Sequence, residues 1–160
     1  MEIRIREFEI QDKEACLIAF DSNVPLFFTK NEVNDFSHFL DTFQNKPIAN
    51  KTYFYAVILE NEVIGCGGFG DKENVGIVSL AWGLIHKDFH NKGFGEQLLK
   101  YRLERIERIY SMKSVFVDTT QHTYGFFEKY GFVVSKITDN YYEKGMHRYD
   151  MEFKPKYRNS

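Results

Sequence analysis

Few cysteines, few prolines and no dominant charge narrow the reading of this sequence before any motif is sought. It has only two cysteines, too few for a disulfide framework and without C-x-x-C spacing. Cys16 and Cys66 therefore read as reduced thiols of a cytoplasmic protein. Three prolines among 160 residues mark no linker, and no low-complexity tract is present. Basic residues number 21 against 23 acidic ones, a net charge of −2. No basic field advertises a nucleic-acid or anionic-lipid partner. The longest nearly apolar run, residues 75–85, is about half the roughly 20 residues that span a bilayer. The opening MEIRIREFEIQDKE is charged throughout, unlike a secretory signal.

Aromatic and aliphatic residues, by contrast, are plentiful. Sixteen Phe, ten Tyr and one Trp bring the aromatic share to 17% and the hydrophobic share to 43%, enough for a sizeable core and against disorder. The length suits a single domain over residues 1–160.

Ile3, Ile5 and Phe8 alternate as in a strand. Residues 12–20 carry Ala15, Cys16, Ala19 and Phe20 at helical spacing, and residues 21–28, with Pro25, read as a connection. Phe36, Phe39, Leu40 and Phe43 predict an amphipathic helix over 32–43, ended by Pro47. From residue 52 the period becomes that of strands: 52–59, a tight turn at 60–62, a return strand 63–69, then 75–85. A helix follows to about residue 110, then a strand at 114–118 and a helix at 120–130 capped by Gly131. Strands at 132–137 and 146–153 end the chain. The strand–helix–strand unit over 78–117 implies one parallel crossover; the rest pairs in sequence. The predicted class is mixed α/β, a largely antiparallel central sheet with helices on both faces.

The stretch 84–99 carries most of the chemical information. A buried strand ending in Leu84 and Ile85 leads through His90-Asn91-Lys92-Gly93-Phe94-Gly95-Glu96 into an amphipathic helix. Unpaired N–H groups converge at such a helix N-terminus, the positive end of its dipole, and suit a phosphate. Gly93 and Gly95 let a ligand approach the backbone, and Lys92 adds charge. The same two glycines are equally compatible with a turn and nothing more.

His90-Asn91-Lys92-Gly93-Phe94-Gly95 resembles the Gln/Arg-x-x-Gly-x-Gly/Ala pyrophosphate loop of the GNAT N-acetyltransferase superfamily. Thr120-Gln121-His122-Thr123-Tyr124-Gly125-Phe126-Phe127-Glu128-Lys129-Tyr130-Gly131-Phe132 is similar to that family's later Asn-x-x-Ala-x-x-Phe-Tyr-x-x-x-Gly-Phe segment. The resemblance implies a GNAT-like acyl-CoA N-acyltransferase fold, acetyl-CoA as co-substrate with no metal, and backbone contacts from His90 through Glu96 to the pyrophosphate. It further implies that Leu84 and Ile85 offer main-chain groups to the pantetheine amides, as an added strand would. Thr120, at the family's Asn, either reaches the cofactor arm or caps the helix.

Two positions depart from the family. Its usual tyrosine acid is replaced by Phe127, leaving Tyr124, one helical turn earlier, as the substitute and Tyr130 next. Its usual Glu on the strand before the loop is replaced by Ser79, leaving Asp118 as the base, with Glu73 and His122 as weaker options. Asp118 also suits a helix cap. Gly65-Cys66-Gly67-Gly68-Phe69-Gly70 satisfies G-x-G-x-x-G, but no helix follows it, so it reads as a strand with a bulge. His86 and His90 share H-x-x-x-H spacing without the glutamate of a zinc-protease helix. Trp82 reads as core. Residues 100–108 alternate in sign and read as a solvated face.

The acceptor side falls to residues 21–43 and 139–147. Phe27, Phe28, Tyr141 and Tyr142 suit an apolar mouth, and Asp21, Glu32 or Asp35 a cation. The expected activity is acetyl transfer to a primary amine of a small molecule or peptide, without an acyl-enzyme. The alternative is a non-catalytic acyl-CoA sensor. The sequence names neither the amine nor the oligomeric state, a homodimer included.

Overall fold

A computed structural model describes residues 2–44, 46, 48–49, 51–71, 76–110 and 114–155. Expectations resting on Pro47, Glu73 and Val75 lie outside the described residues. The elements are β1 (Ile3–Glu7), a 3-10 turn at Ile10–Asp12, α1 (Lys13–Asp21), α2 (Glu32–Asp41) and β2 (Ile48–Ala49). Next come β3 (Thr52–Leu59), β4 (Glu62–Gly70), β5 (Ile77–Ile85), a 3-10 turn at Lys87–Phe89 and α3 (Phe94–Ile109). The chain continues through β6 (Ser114–Thr119), α4 (Tyr124–Lys129), β7 (Phe132–Glu143) and β8 (Met146–Phe153). They build an eight-stranded sheet in the order β1-β3-β4-β5-β6-β8-β7, with β2 pairing β3. Only β5 and β6 run parallel among the described strands, so the mixed, largely antiparallel α/β class is observed.

Alternation along the central strands divides the core between two faces. Phe54 of β3 and Cys66 of β4 pack with Cys16, Phe20, Phe36 and Leu40 of α1 and α2. On the other face Tyr55, Phe69 and Val78 pack with Leu99 and Ile106 of α3, while Val57 and Ile85 meet Phe94 and Leu98. The turn between β3 and β4 places Glu60 and Asn61 both at positive φ, the backbone of a two-residue I′ hairpin.

Where the sheet comes apart matters most for function. β5 and β6 pair only through Ile77, Val78 and Ser79 with Ser114, Val115 and Phe116. Beyond Ser79, no strand among the described residues pairs with residues 80–85 of β5 on that side, and a wedge opens. On the other side of β5, the register with β4 shifts: Cys66 faces Leu84, but Gly68 faces Ala81. The extra residue of this bulge therefore belongs to β5, and the glycine run of β4 lies opposite it. There Trp82 adopts φ +47°, a conformation bulky residues rarely take. Trp82 is half-buried rather than fully core. Its ring is held among Phe36 at 5.2 Å, Phe20 at 5.9 Å and Phe39 at 6.1 Å.

Three boundaries differ from the sequence expectation. The last helix begins at Tyr124 rather than 120. The threonines before it bind locally instead: the Thr120 hydroxyl accepts from His122 N at 3.2 Å, and Thr119 and Thr123 hydroxyls bond each other. Such side-chain bonds compete with the helical ladder. The strand expected over 132–137 runs on to Glu143, because β8 supplies partners along most of its length. Helix α2 stops at Asp41, short of the expected Phe43, which nevertheless is buried beside Phe8 and Phe54.

Candidate acyl-transfer site

The loop leaving β5 is fixed by its own side chains. His86 N donates to Ile64 O at 2.7 Å, and the His86 ring accepts from Asp88 N at 3.1 Å. His90 Nε2 lies 2.7 Å from the Ile85 carbonyl, which also accepts from Asn23 Nδ2 at 3.0 Å. Ile85 thus has its carbonyl already engaged, and only its N–H remains to offer. Asn91 at φ +61° and Gly93 at φ +83° then reverse the chain into α3. Phe94 anchors the first turn by burying its ring with Ile85 and Leu98.

Gln97 N makes the first helical bond, to Gly93 O at 3.1 Å. Among the described residues no acceptor meets the N–H groups of residues 91–96, the orphan donors of a helix start. Asn91, Lys92 and Gly93 are exposed. The one carboxylate in this turn is neutralised: Glu96 accepts from the Tyr130 hydroxyl at 2.7 Å and pairs with Lys100 at 2.7 Å. Lys100 and then Tyr130 hold the Glu96 carboxyl below its ordinary range. The result is an exposed, donor-rich turn, the kind of surface on which an anion can sit.

On the opposite wall Asp118, near the end of β6, accepts from the Tyr142 hydroxyl at 2.6 Å. Arg148 stands 3.9 Å from Asp118 and donates to Asp150 at 2.9 Å. Burial first, then the Asp118 charge, raise the Tyr142 phenol well above the tyrosine range, so it stays a donor. Glu32 opens α2 in a reciprocal box with Thr29: Thr29 N donates to Glu32 Oε1 at 3.0 Å, and Glu32 N to Thr29 Oγ1 at 3.3 Å. Burial, and the nearby charges of Asp118 and Asp35, raise its carboxyl. The charges of Asp118 and Asp35 thus lie near enough to act on Glu32, while Asp21 closes α1. Phe27 lies between the His90 ring at 5.6 Å and the His122 ring at 6.4 Å. It spans the loop after β5 and the loop after β6. Phe28 belongs instead to the core, stacked on Phe20 at 4.4 Å, and Tyr141 is exposed under Arg148 at 4.7 Å.

Residues 27–155 match the family described as an acetyltransferase (GNAT) domain. The chain belongs to the GNAT acetyltransferase family. Solved structures share its fold: a GNAT-family protein from Desulfovibrio desulfuricans superposes at TM-score 0.79 with 19% identity, over 96% of this chain and 98% of that one. The ribosomal-protein-S18-alanine N-acetyltransferase of Escherichia coli gives 0.75 at 12% identity, covering 99% of each chain. The PaiA N-acetyltransferase of Thermoplasma acidophilum, in complex with coenzyme A, gives 0.69 at 16% identity, covering 96% and 99%. No curated protein matches.

Within this GNAT domain, Ser79 sits at the last paired position before the wedge opens. Phe127 packs edge-on to Phe132 at 5.4 Å and has no proton to give. Tyr124 is half-buried, its ring stacked on Tyr149 at 4.5 Å, and its hydroxyl meets no partner among the described residues. Thr120 is buried, with its hydroxyl engaged by His122 N and its carbonyl by Thr123 N and Tyr124 N. These bonds hold the turn that precedes α4, whose N-cap is Thr123.

The alternating segment 100–108 is not wholly the solvated face expected of it, because Arg102 is buried. Its position four residues after Leu98 and four before Ile106 sets it in the apolar stripe of α3. Burial pulls its guanidinium down to about 10 from the ordinary arginine value, so it remains charged at neutral pH. Leaving a buried charge without a counter-ion costs several kcal/mol as a rule.

Proposed function

We propose that this chain transfers the acetyl group of acetyl-CoA to a primary amine by direct attack within a ternary complex. The observation that carries the reading is the row of unpaired N–H groups over residues 91–96 at the open end of the β5–β6 wedge. A diphosphate would sit on those donors and the α3 dipole. The pantetheine arm would lie along the unpaired edge of β5, using the free N–H of Ile85 and the adjoining Leu84 main chain, and carry the thioester toward the bulge. Strand N–H groups would polarise the acetyl oxygen, and holding both reactants together supplies much of the acceleration.

The amine arrives as an ammonium, which the charges of Glu32, Asp35 and Asp118 attract. With a pKa near 10.4, supplying free amine at pH 7 costs on the order of 4–5 kcal/mol. Asp118, directly or through water, accepts the proton. The nitrogen lone pair forms the new C–N bond, the C–S bond breaks, and the departing thiolate takes a proton from Tyr124; the second nitrogen proton, released as the amide forms, passes through water to the tyrosinate, and Asp118 returns its proton to solvent. The products are an amide and coenzyme A.

Steady release of coenzyme A thiol from acetyl-CoA, screened over amines, peptides and aminoglycosides, tests the reading. Turnover with at least one amine, and inhibition by coenzyme A far stronger than by ATP, are expected. Tight coenzyme binding with no turnover across the panel would make the protein a sensor. Tyr124→Phe is expected to lower kcat roughly tenfold or more with coenzyme A affinity unchanged; equal kcat would remove Tyr124 from the mechanism.

A further inference from the structure

Arg102 is 3% exposed and lies on the α3 side of the sheet, under the bulge where β4 and β5 shift register. Its Nη1 donates to the Gly68 carbonyl at 3.4 Å, and its Nε has no acceptor. No carboxylate pairs with it among the described residues. Main chain stripped of side chains surrounds it instead. A Cβ on Gly83 would lie 2.6 Å from Nη2, 2.9 Å from Nη1 and 3.0 Å from Cζ, and one on Gly67 would lie 3.4 Å from Cζ. Gly83 of β5, and less tightly Gly67 of β4, thus leave room for a guanidinium. Gly83 is itself exposed and belongs to the stretch of β5 with no partner across the wedge. A buried cation therefore stands one main-chain thickness behind the edge along which the thioester would lie.

We propose that Arg102 is a positioning residue for acyl transfer, holding the β4–β5 bulge and placing positive charge behind the main-chain donors that face the acyl oxygen. The proposal rests on the acetyl-transfer reading above. As the amine attacks, negative charge gathers on the acetyl oxygen. In a site of low dielectric, a fixed cation nearby favours that charge more than it favours the neutral thioester. The same cation, buried without a counter-ion, weakens the fold. Arginine here exchanges stability for rate, and a methionine of similar length would reverse the exchange.

The test compares wild type with Arg102→Met, Arg102→Lys and Gly83→Ala. Three quantities are measured: melting temperature, the infrared carbonyl band of bound acetyl-CoA carrying carbon-13 at the carbonyl, and kcat with the best amine from the screen. For Arg102→Met the expected results are a melting temperature equal to or above wild type and coenzyme A affinity within twofold. The carbonyl band should move to higher wavenumber, with kcat down roughly tenfold or more. Arg102→Lys should recover part of both. Gly83→Ala, which pushes the guanidinium aside, should shift the band in the same direction, and it keeps the proposal testable if Arg102→Met does not fold. An unchanged band in Gly83→Ala, or an unchanged band and kcat in Arg102→Met, overturns the proposal. So does a loss of kcat equal in the Lys and Met variants with both melting below wild type, since lost packing alone would explain that. A wild type that binds no acetyl-CoA overturns the acetyl-transfer reading and this proposal with it. A wild type that turns over leaves the role of Arg102 as the single point at issue.

Discussion

Gly93→Asp is expected to weaken coenzyme A binding by at least a hundredfold while leaving the protein folded. Gly93 holds φ +83° just before α3, and a Cβ there meets no atom within 4 Å. The substitution therefore crowds nothing in the free protein and costs about 1–2 kcal/mol of backbone strain. A carboxylate beside the helix N-terminus returns about 0.3–1 kcal/mol of that through the dipole. The loss falls on the ligand instead. Two unit charges about 5 Å apart, at an effective dielectric near 20, repel by about 3 kcal/mol, a factor of roughly a hundred in affinity. The new carboxylate also accepts from the N–H donors that a diphosphate would use. Gly93→Asn separates these causes, since asparagine tolerates the left-handed region and carries no charge. Calorimetric titration with coenzyme A should show the Asp variant regaining affinity as salt rises and the Asn variant losing little at any salt. Wild-type affinity in Gly93→Asp would place the diphosphate elsewhere.

The features that made this loop readable are local ones. A strand, a turn with two glycines and a helix with Leu98, Leu99, Leu103 and Ile106 in register all follow from nearest-neighbour chemistry, and the structure keeps that order. What escaped depends on contacts between elements distant in sequence. A bulge was expected in the glycine run of β4, and an extra β4 residue, Ile64, does sit just before that run opposite β3; what escaped is the second bulge, in β5, where the left-handed Trp82 ring is pinned by phenylalanines from α1 and α2. The long β7 depends on its pairing with β8. Glu32 could be noted as acidic, but that the charge of Asp118, on β6, acts on it depends on how distant segments fold together. Arg102 was obscured by charge alternation, which outweighs helical periodicity when a segment is read for solvation. The stripe Phe94, Leu98, Arg102, Ile106 contains the clue, and the glycines at 67 and 83 are its counterpart on the sheet.

Asp118→Asn carries the second large effect, and its pH dependence is more telling than its size. Asparagine keeps an oxygen for the Tyr142 hydroxyl, which now bonds Asp118 at 2.6 Å, so the wall should keep its shape. What disappears is the charge that draws an ammonium and the oxygen that receives its proton. At pH 7, kcat/KM is expected to fall roughly a hundredfold. Without a base only the free amine reacts, and its fraction rises about tenfold per pH unit until the pH nears the amine's own pKa, about 10.4 for an alkylamine. The log of kcat/KM for Asp118→Asn should thus climb with unit slope across the neutral and mildly alkaline range. Wild type, able to deprotonate bound ammonium, should level off well below that. The two profiles converge at high pH if Asp118 acts as the base. If the variant is slower by a constant factor at every pH, Asp118 only holds the substrate, and the proton leaves by another route. Tyr142→Phe distinguishes orientation from basicity: it frees the carboxylate without discharging it. Its profile should keep the wild-type shape at a lower rate, because Asp118 loses the hydroxyl that fixes its rotamer but not its charge.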